Sequence, residues 1–371
     1  MKSDLDNLMQ AQGIDALWVT GSGDHNPNLV YFTGLHHLSQ VDLIKPRRKT
    51  GFLFHNPMER EEAAKTGLNT SMEGHSAYRQ FLSQMSRDAL QAHVHMYQTM
   101  LKHAGVSSGR VSVSGLKDAG QAFSVLSALQ KELPGIEFIG QFKDNVINSA
   151  RFTKDHGEID RIQRVGALTV EVVAQTADYL SGLRARNGML VDNQDQPVTI
   201  GRVKGKIRLW LAERNLESPE ELIFSAGRDA AIPHSAGNPD EVLRPGVPVV
   251  FDIFPCETGG GYFYDLTRTW CLEYAPDEVI KLYEDVRQVH QTIISELTIG
   301  IPFKHFQERT CQLFSAQGHP TIQSDSKLEE GYVHSIGHGV GLAVHERPFS
   351  GLDASEQDTL QPGVVITVEP G

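Results

Sequence analysis

Two apolar runs, residues 249–254 (Val-Val-Phe-Asp-Ile-Phe) and 262–270, each carry a single aspartate, and Gly259, Gly260 and Gly261 stand between them. The pattern restricts this stretch to a hairpin whose carboxylates sit in apolar company. If the turn is centred between Thr258 and Gly259, Asp252 and Asp265 lie directly opposite, with Cβ atoms about 4.5–5.5 Å apart. Carboxylates that close repel unless a proton or a cation lies between them. A hard divalent cation, which prefers oxygen ligands, answers that requirement. A turn centred elsewhere would send one aspartate to solvent instead.

A second stretch, His334-Ser335-Ile336-Gly337-His338-Gly339-Val340-Gly341-Leu342-Ala343-Val344-His345-Glu346, sets three histidines among glycines. It is too rich in glycine for a stable helix, which argues against zinc ligands spaced along a helix face. Glycines let a backbone approach a ligand closely, and imidazole is the commonest nitrogen ligand of transition metals. One histidine here would more often be a hydrogen-bonded core residue; three in twelve positions favour function. A third stretch, residues 364–371, ends an apolar strand on Glu369, where an unpaired carboxylate is costly. A solvated glutamate before Pro370 is the alternative.

Around these stretches the chain reads as two domains. Its 371 residues suffice for two cores. In the first ~150 residues strands alternate with helices, with apolar runs at 16–19, 51–54, 111–113 and 136–139 and a polar helical stretch at about 75–105. A boundary near 145–155 precedes an amphipathic helix carrying Ile159, Ile162, Val165, Leu168 and Val172. A second such helix follows Pro276, with Asp277 as its N-cap and Val279, Leu282, Val286, Val289, Ile293 and Leu297 on one face. With strands at 249–254, 262–270 and 364–368, the second domain is expected to be α+β, helices on a largely antiparallel sheet. Lys plus Arg number 34 against 46 Asp plus Glu, a net charge of -12 that disfavours nucleic acid and anionic membranes as partners. No signal peptide or membrane-spanning helix is evident, and Cys256, Cys271 and Cys311 read as free thiols of a cytoplasmic protein.

Taken together, Asp265-Leu266-Thr267-Arg268-Thr269, Gly337-His338-Gly339-Val340-Gly341, Val344-His345-Glu346 and Val368-Glu369-Pro370-Gly371 occur in the order seen in the pita-bread metallopeptidases. Residues 149–371 resemble that family's catalytic domain, and residues 27–34 give the best local likeness to its creatinase-like N-terminal α/β domain. The family includes methionine aminopeptidase, prolidase, aminopeptidase P and the non-metal creatinase. The resemblance implies domains at 1–150 and 151–371, with metal ligands at Asp252, Asp265, His338 and Glu369. It implies that Glu369 is also the general base, that His234 and His345 act on substrate and intermediate, and that His334 is an accessory substrate-binding residue. Two divalent metal ions are implied, Mn²⁺ foremost, with Co²⁺ or Zn²⁺ permitted, together with a homodimer.

The two-domain layout favours the proline-directed branch, hence hydrolysis of the bond between an N-terminal residue and a following proline by water activated between the cations. Prolidases hold a dipeptide's carboxylate with an arginine shortly after the His-Glu pair; Arg347 follows at once here, and the reading leans to the aminopeptidase, with the Xaa-Pro dipeptidase as alternative. The aspartates lie thirteen positions apart, slightly more than the family pattern, which suggests a longer turn. The family's fifth ligand, a glutamate beyond the Val-Glu-Pro-Gly stretch, is not reached before Gly371, so either the catalytic domain is truncated, which is the expectation, or one metal site is incomplete. A non-catalytic peptide-binding relative and a creatinase-like, metal-free hydrolase are the remaining alternatives.

Overall fold

The computed structural model describes residues 4–142 and 145–371. Met1, Lys2 and Ser3, on which the expected lack of a leader partly rests, lie outside the described residues. The chain divides into two compact units, Met1–Arg151 with Gly259–Gly261, and Phe152–Thr258 with Tyr262–Gly371. Among the described residues no helix is long and apolar enough to cross a membrane.

The first unit is built on a six-stranded mixed sheet of β1 (Ala16–Gly21), β2 (Val41–Pro46), β3 (Phe52–His55), β4 (Asn69–Ser71), β5 (Gly109–Gly115) and β6 (Ile136–Ile139), in the order β4-β3-β2-β1-β5-β6. β1 runs parallel to β5 and antiparallel to β2. Apolar side chains alternate across the sheet, Leu17, Val19, Leu43 and Leu53 feeding one core and Trp18, Ile44, Phe54 and Val111 the other. Four of these strands coincide with the apolar runs of the sequence. The strand β2 is not among them, because Asp42 and Lys45 interrupt its apolar run. Both polar residues are buried and hydrogen-bonded: Trp18 Nε1 donates to Asp42 Oδ1 (2.9 Å), and Lys45 Nζ to Asp6 (2.6 Å).

The second unit opens with the helix His156–Ser181, started by a capping box in which Asp155 accepts from the Glu158 N–H and Glu158 accepts from the Asp155 N–H. Ile162, Val165, Val172 and Leu180 form its buried stripe. Its minor ladders are the hairpin β7 (Arg184–Arg186) and β8 (Met189–Val191), and β9 (Leu216–Glu217) paired with β12 (Cys256–Glu257). Its antiparallel sheet has the order β10 (Ile223–Ala226), β11 (Pro248–Ile253), β13 (Leu266–Cys271). Phe224, Phe251 and Ile253 pack its core with Val165 and Val203.

Three details correct the sequence reading. Asp277 is not the N-cap of the helix Asp277–Glu296; Pro276 takes that place and Asp277 makes no capping bond, serving as an acidic first-turn residue. Only the far half of that helix is covered: Val289 and Ile293 are buried, whereas Leu282 is exposed. Residues 364–368 form no regular strand; they run beside His338 through an isolated bridge between Gly339 and Ile366 and bonds such as Thr367 N–H to His338 O (2.9 Å).

Candidate metal centre

The register of β11 on β13 places each aspartate. Asp252 pairs with Thr267 and Ile253 with Leu266, so Asp265 is not directly opposite Asp252 but displaced from that position by two residues. The bridge between Cys256 and Phe263 continues the same register into the loop. Because the side-chain period of a strand is two, this shift leaves both carboxylates on one face. Thr267, facing Asp252, donates from Oγ1 to Asp252 Oδ1 (2.8 Å). The two carboxyl groups act electrostatically on one another.

His338 and Glu369 come to the same place from β14 (His338–Gly339) and the segment beside it. β14 pairs with β15 (Glu346–Phe349), with a bulge between His338 and Gly339. Glycine is required here by space rather than by φ. A Cβ on Gly337 would stand 2.3 Å from Thr367 O, one on Gly339 2.1 Å from Arg347 O, and one on Gly341 2.2 Å from Glu346 Oε1. Glu369 N–H donates to Ile336 O (2.8 Å). His338 Nε2 lies 3.5 Å from Asp265 Oδ2 and 3.3 Å from Glu369 Oε1. Asp265, His338 and Glu369 each offer a ligand atom, and these lie within 4.8 Å of one another.

The electrostatics fit a cation. Burial, then the neighbouring charges of Asp252 and Glu369, pushes the Asp265 carboxyl well above the usual carboxylate range. Burial likewise raises Asp252, against the hydrogen bond from Thr267 and with the charge of Glu369. Burial disfavours the charged form of His338, but its hydrogen bond and attraction to Glu369 prevail and raise the imidazole. The same contact, with the Thr367 hydroxyl, outweighs burial and lowers Glu369. His338 Nδ1 stands 3.1 Å from Gly339 O, so in the neutral ring Nδ1–H donates there and the Nε2 lone pair faces the carboxylates. The two carboxylates and one imidazole of Asp265, His338 and Glu369, so placed, suit a divalent ion.

The other expected residues surround this group more loosely. The His345 ring stands 4.1 Å from that of His338, centroid to centroid, and is held below the ordinary imidazole range by burial and by the charge of His338. His234 is exposed at φ 62°, and its charge also bears on His345. His334 is half-buried beside Tyr332 (5.3 Å between rings), and its charge stabilises ionised Glu369. Arg347 is committed elsewhere: Nε donates to Asp358 Oδ1 (2.8 Å), and the guanidinium lies 5.1 Å from the Phe152 ring centroid.

Several supporting residues lie outside the set expected from sequence. Thr267 and Thr367 stand two positions from Asp265 and Glu369, so strand periodicity alone could have flagged them. Gln307 gives no such signal, because it lies on a distant helix. Its side-chain oxygen accepts from Ile336 N–H (2.6 Å) and Tyr332 OH (2.9 Å), and its amide donates to His334 O (3.1 Å). A buried ion pair, Lys154 Nζ to Glu346 Oε1 (2.7 Å), anchors the residue next to His345.

The sequence matches the family model described as metallopeptidase family M24 over residues 160–371, and that of the creatinase/prolidase N-terminal domain over residues 2–152. It is 27% identical over 227 residues to a probable dipeptidase PepE of Mycobacterium tuberculosis, covering 61% of this chain and 53% of that protein. The chain thus spans about half the length of that mycobacterial relative. It is 26% identical over 264 residues to an Xaa-Pro dipeptidase of Pyrococcus horikoshii, covering 70% and 67%. Its fold matches the crystal structure of an X-Pro aminopeptidase from Thermotoga maritima with a TM-score of 0.71 at 19% identity, covering 98% and 90% of the two chains.

Proposed function

From the premise that this chain belongs to metallopeptidase family M24, a creatinase-type N-terminal α/β domain preceding a pita-bread catalytic domain, we propose that it hydrolyses peptides bearing proline in the second position. The observation that carries the reading is the convergence of Asp265, His338 and Glu369 within 4.8 Å, with Asp252 on the same face of the ladder as Asp265. These four residues would hold two divalent ions, Mn²⁺ before Co²⁺ or Zn²⁺. Bound there, such ions supply Lewis acidity and bring the pKa of a water toward neutrality.

The chain's own groups supply the rest. Glu369, kept ionised by His338, accepts the proton of the attacking water and returns it to the leaving nitrogen. His345, beside His338, and His234, whose charge it senses, donate hydrogen bonds to the carbonyl oxygen as negative charge develops there. His334 lines the substrate side of Glu369. Release of an N-terminal residue from longer peptides is favoured over dipeptide cleavage, because Arg347 already spends its charge on Asp358 instead of a substrate carboxylate. The Pyrococcus relative's designation supports Xaa-Pro dipeptide cleavage as the second reading. A homodimer is carried by the resemblance, and a cytoplasmic setting by the three free cysteines.

Purified protein with Mn²⁺ is expected to release the first residue of an Xaa-Pro-Xaa tripeptide faster than it splits an Xaa-Pro dipeptide. Asp265→Ala and His338→Ala are each expected to lower turnover by at least about 10³-fold, comparable to losing a major electrostatic group. Wild-type turnover in either variant would overturn the assignment.

A further inference from the structure

We propose that Thr367 is a positioning residue, whose hydroxyl fixes the Glu369 carboxylate relative to the peptide unit that carries His338. The inference deepens the metal-site reading and rests on it. A threonine hydroxyl has one proton to give and lone pairs to receive. His338 N–H donates to Thr367 Oγ1 at 3.0 Å, which occupies the acceptor side. The proton has two acceptors in range, Glu369 Oε1 at 3.0 Å and His338 O at 3.4 Å. His338 O already accepts from Thr367 N–H at 2.9 Å, so the nearer carboxylate takes the hydroxyl proton.

Glu369 Oε1 is also the oxygen 3.3 Å from His338 Nε2. One hydroxyl therefore ties together both ends of the pair, the backbone of His338 and the carboxylate of Glu369. Two further features make this a rigid link. Threonine is stiff about χ1, and the missing Cβ of Gly337 lets the Thr367 carbonyl approach to a distance no other residue permits. A glutamate on its own has three side-chain torsions to distribute; here the first ligand oxygen is set before any cation arrives.

The chemistry discriminates between substitutions. Thr367→Ser keeps the hydroxyl, Thr367→Val keeps the shape, and Thr367→Ala keeps neither but leaves room for water at the His338 N–H. The alanine variant covers the case in which the valine variant does not fold. Mn²⁺ titration by calorimetry is expected to show about 10–100-fold weaker binding in Thr367→Val and Thr367→Ala, the scale of lost ligand-orienting hydrogen bonds. Thr367→Ser should return to within about threefold of wild type. With saturating metal, the loss on an Xaa-Pro peptide should fall on kcat, with KM little changed. Crystal structures of metal-free wild type and Thr367→Ala should show the Glu369 carboxylate turned away in the variant while His338 stays in place. Wild-type affinity without the hydroxyl, a serine variant as weak as alanine, or an unmoved Glu369 would overturn the proposal. If the wild-type protein itself binds no Mn²⁺ or Co²⁺, the metal reading fails, and the position of Glu369 in the two metal-free structures still decides the role of Thr367.

Discussion

At Asp265 and Asp252, burial and the charge of Glu369, joined at Asp265 by the charge of Asp252, favour the protonated carboxyl, so the folded metal-free chain holds more protons than the unfolded one above the ordinary carboxylate range. Stability then falls as pH rises through that window, the reverse of a salt-bridged aspartate. His338 adds to the fall, because its raised pKa makes its contribution present at low pH and lost as pH passes the raised value. Glu369 acts in the opposite sense, its depressed pKa giving stability that disappears only on acidification. The crowded aspartates thus cost stability that only a cation or a proton relieves. Asp265→Asn removes the burden at one residue. In EDTA at pH 8 the variant is expected to melt at least about 3 °C above wild type, taking 2–4 °C per kcal/mol for a domain of this size. At pH 5 the difference should shrink. A variant less stable than wild type at pH 8 would show that Asp265 is not strained in the metal-free protein.

At the scale of elements, the ladder of β14 on β15 needs Gly339, which admits the Arg347 carbonyl where a Cβ would stand. Gly339→Ala drives a methyl to 2.1 Å from a backbone carbonyl, which cannot swing aside as a side chain can. The expected result is a loss of about 3 kcal/mol or more in chemical denaturation, as for overpacking beyond what the core absorbs, together with lost metal binding. Gly205 is the contrasting case: it lies in the helix Ile200–Ala212, exposed, and a methyl placed there would meet nothing within 4 Å. Gly205→Ala should stabilise by about 0.5–1 kcal/mol through helix propensity. Equal effects of the two substitutions would refute the steric account.

The same contrast explains what is legible in the sequence. Clustered glycines and histidines at 334–346 announce irregular backbone around a site, because spacing alone excludes a helix there. Asp252 and Asp265 are legible as neighbours, yet their register is not: it depends on how the loop at 254–265 pairs, and β9, far upstream, takes part by pairing with β12. β2 is hidden because Asp42 and Lys45 find their partners in Trp18, His75 and Asp6, contacts that sequence spacing does not encode. Gln307 is invisible for the same reason.

Across the whole molecule, each unit has cores of its own: Leu17, Leu43 and Leu53 belong to the first, and Val165, Phe224, Phe251 and Ile253 to the second. All four site carboxylate and imidazole groups, Asp252, Asp265, His338 and Glu369, come from the second unit. A ligand that binds only the folded state stabilises by RT ln(1 + [L]/Kd), about 2.7 kcal/mol at a concentration 100 times Kd. That energy must enter through the unit that holds the ligand groups. Scanning calorimetry in Mn²⁺ should therefore raise the transition of the second unit, and EDTA should reverse it. Asp42→Asn, by contrast, removes a buried charge contacted by Trp18 and His75 and should lower the transition of the first unit whether or not metal is present. Metal shifting both transitions equally would mean that the units melt as one; metal shifting neither would mean that the cluster of buried carboxylates is relieved by protons alone, and the hydrolytic reading would lose its physical basis.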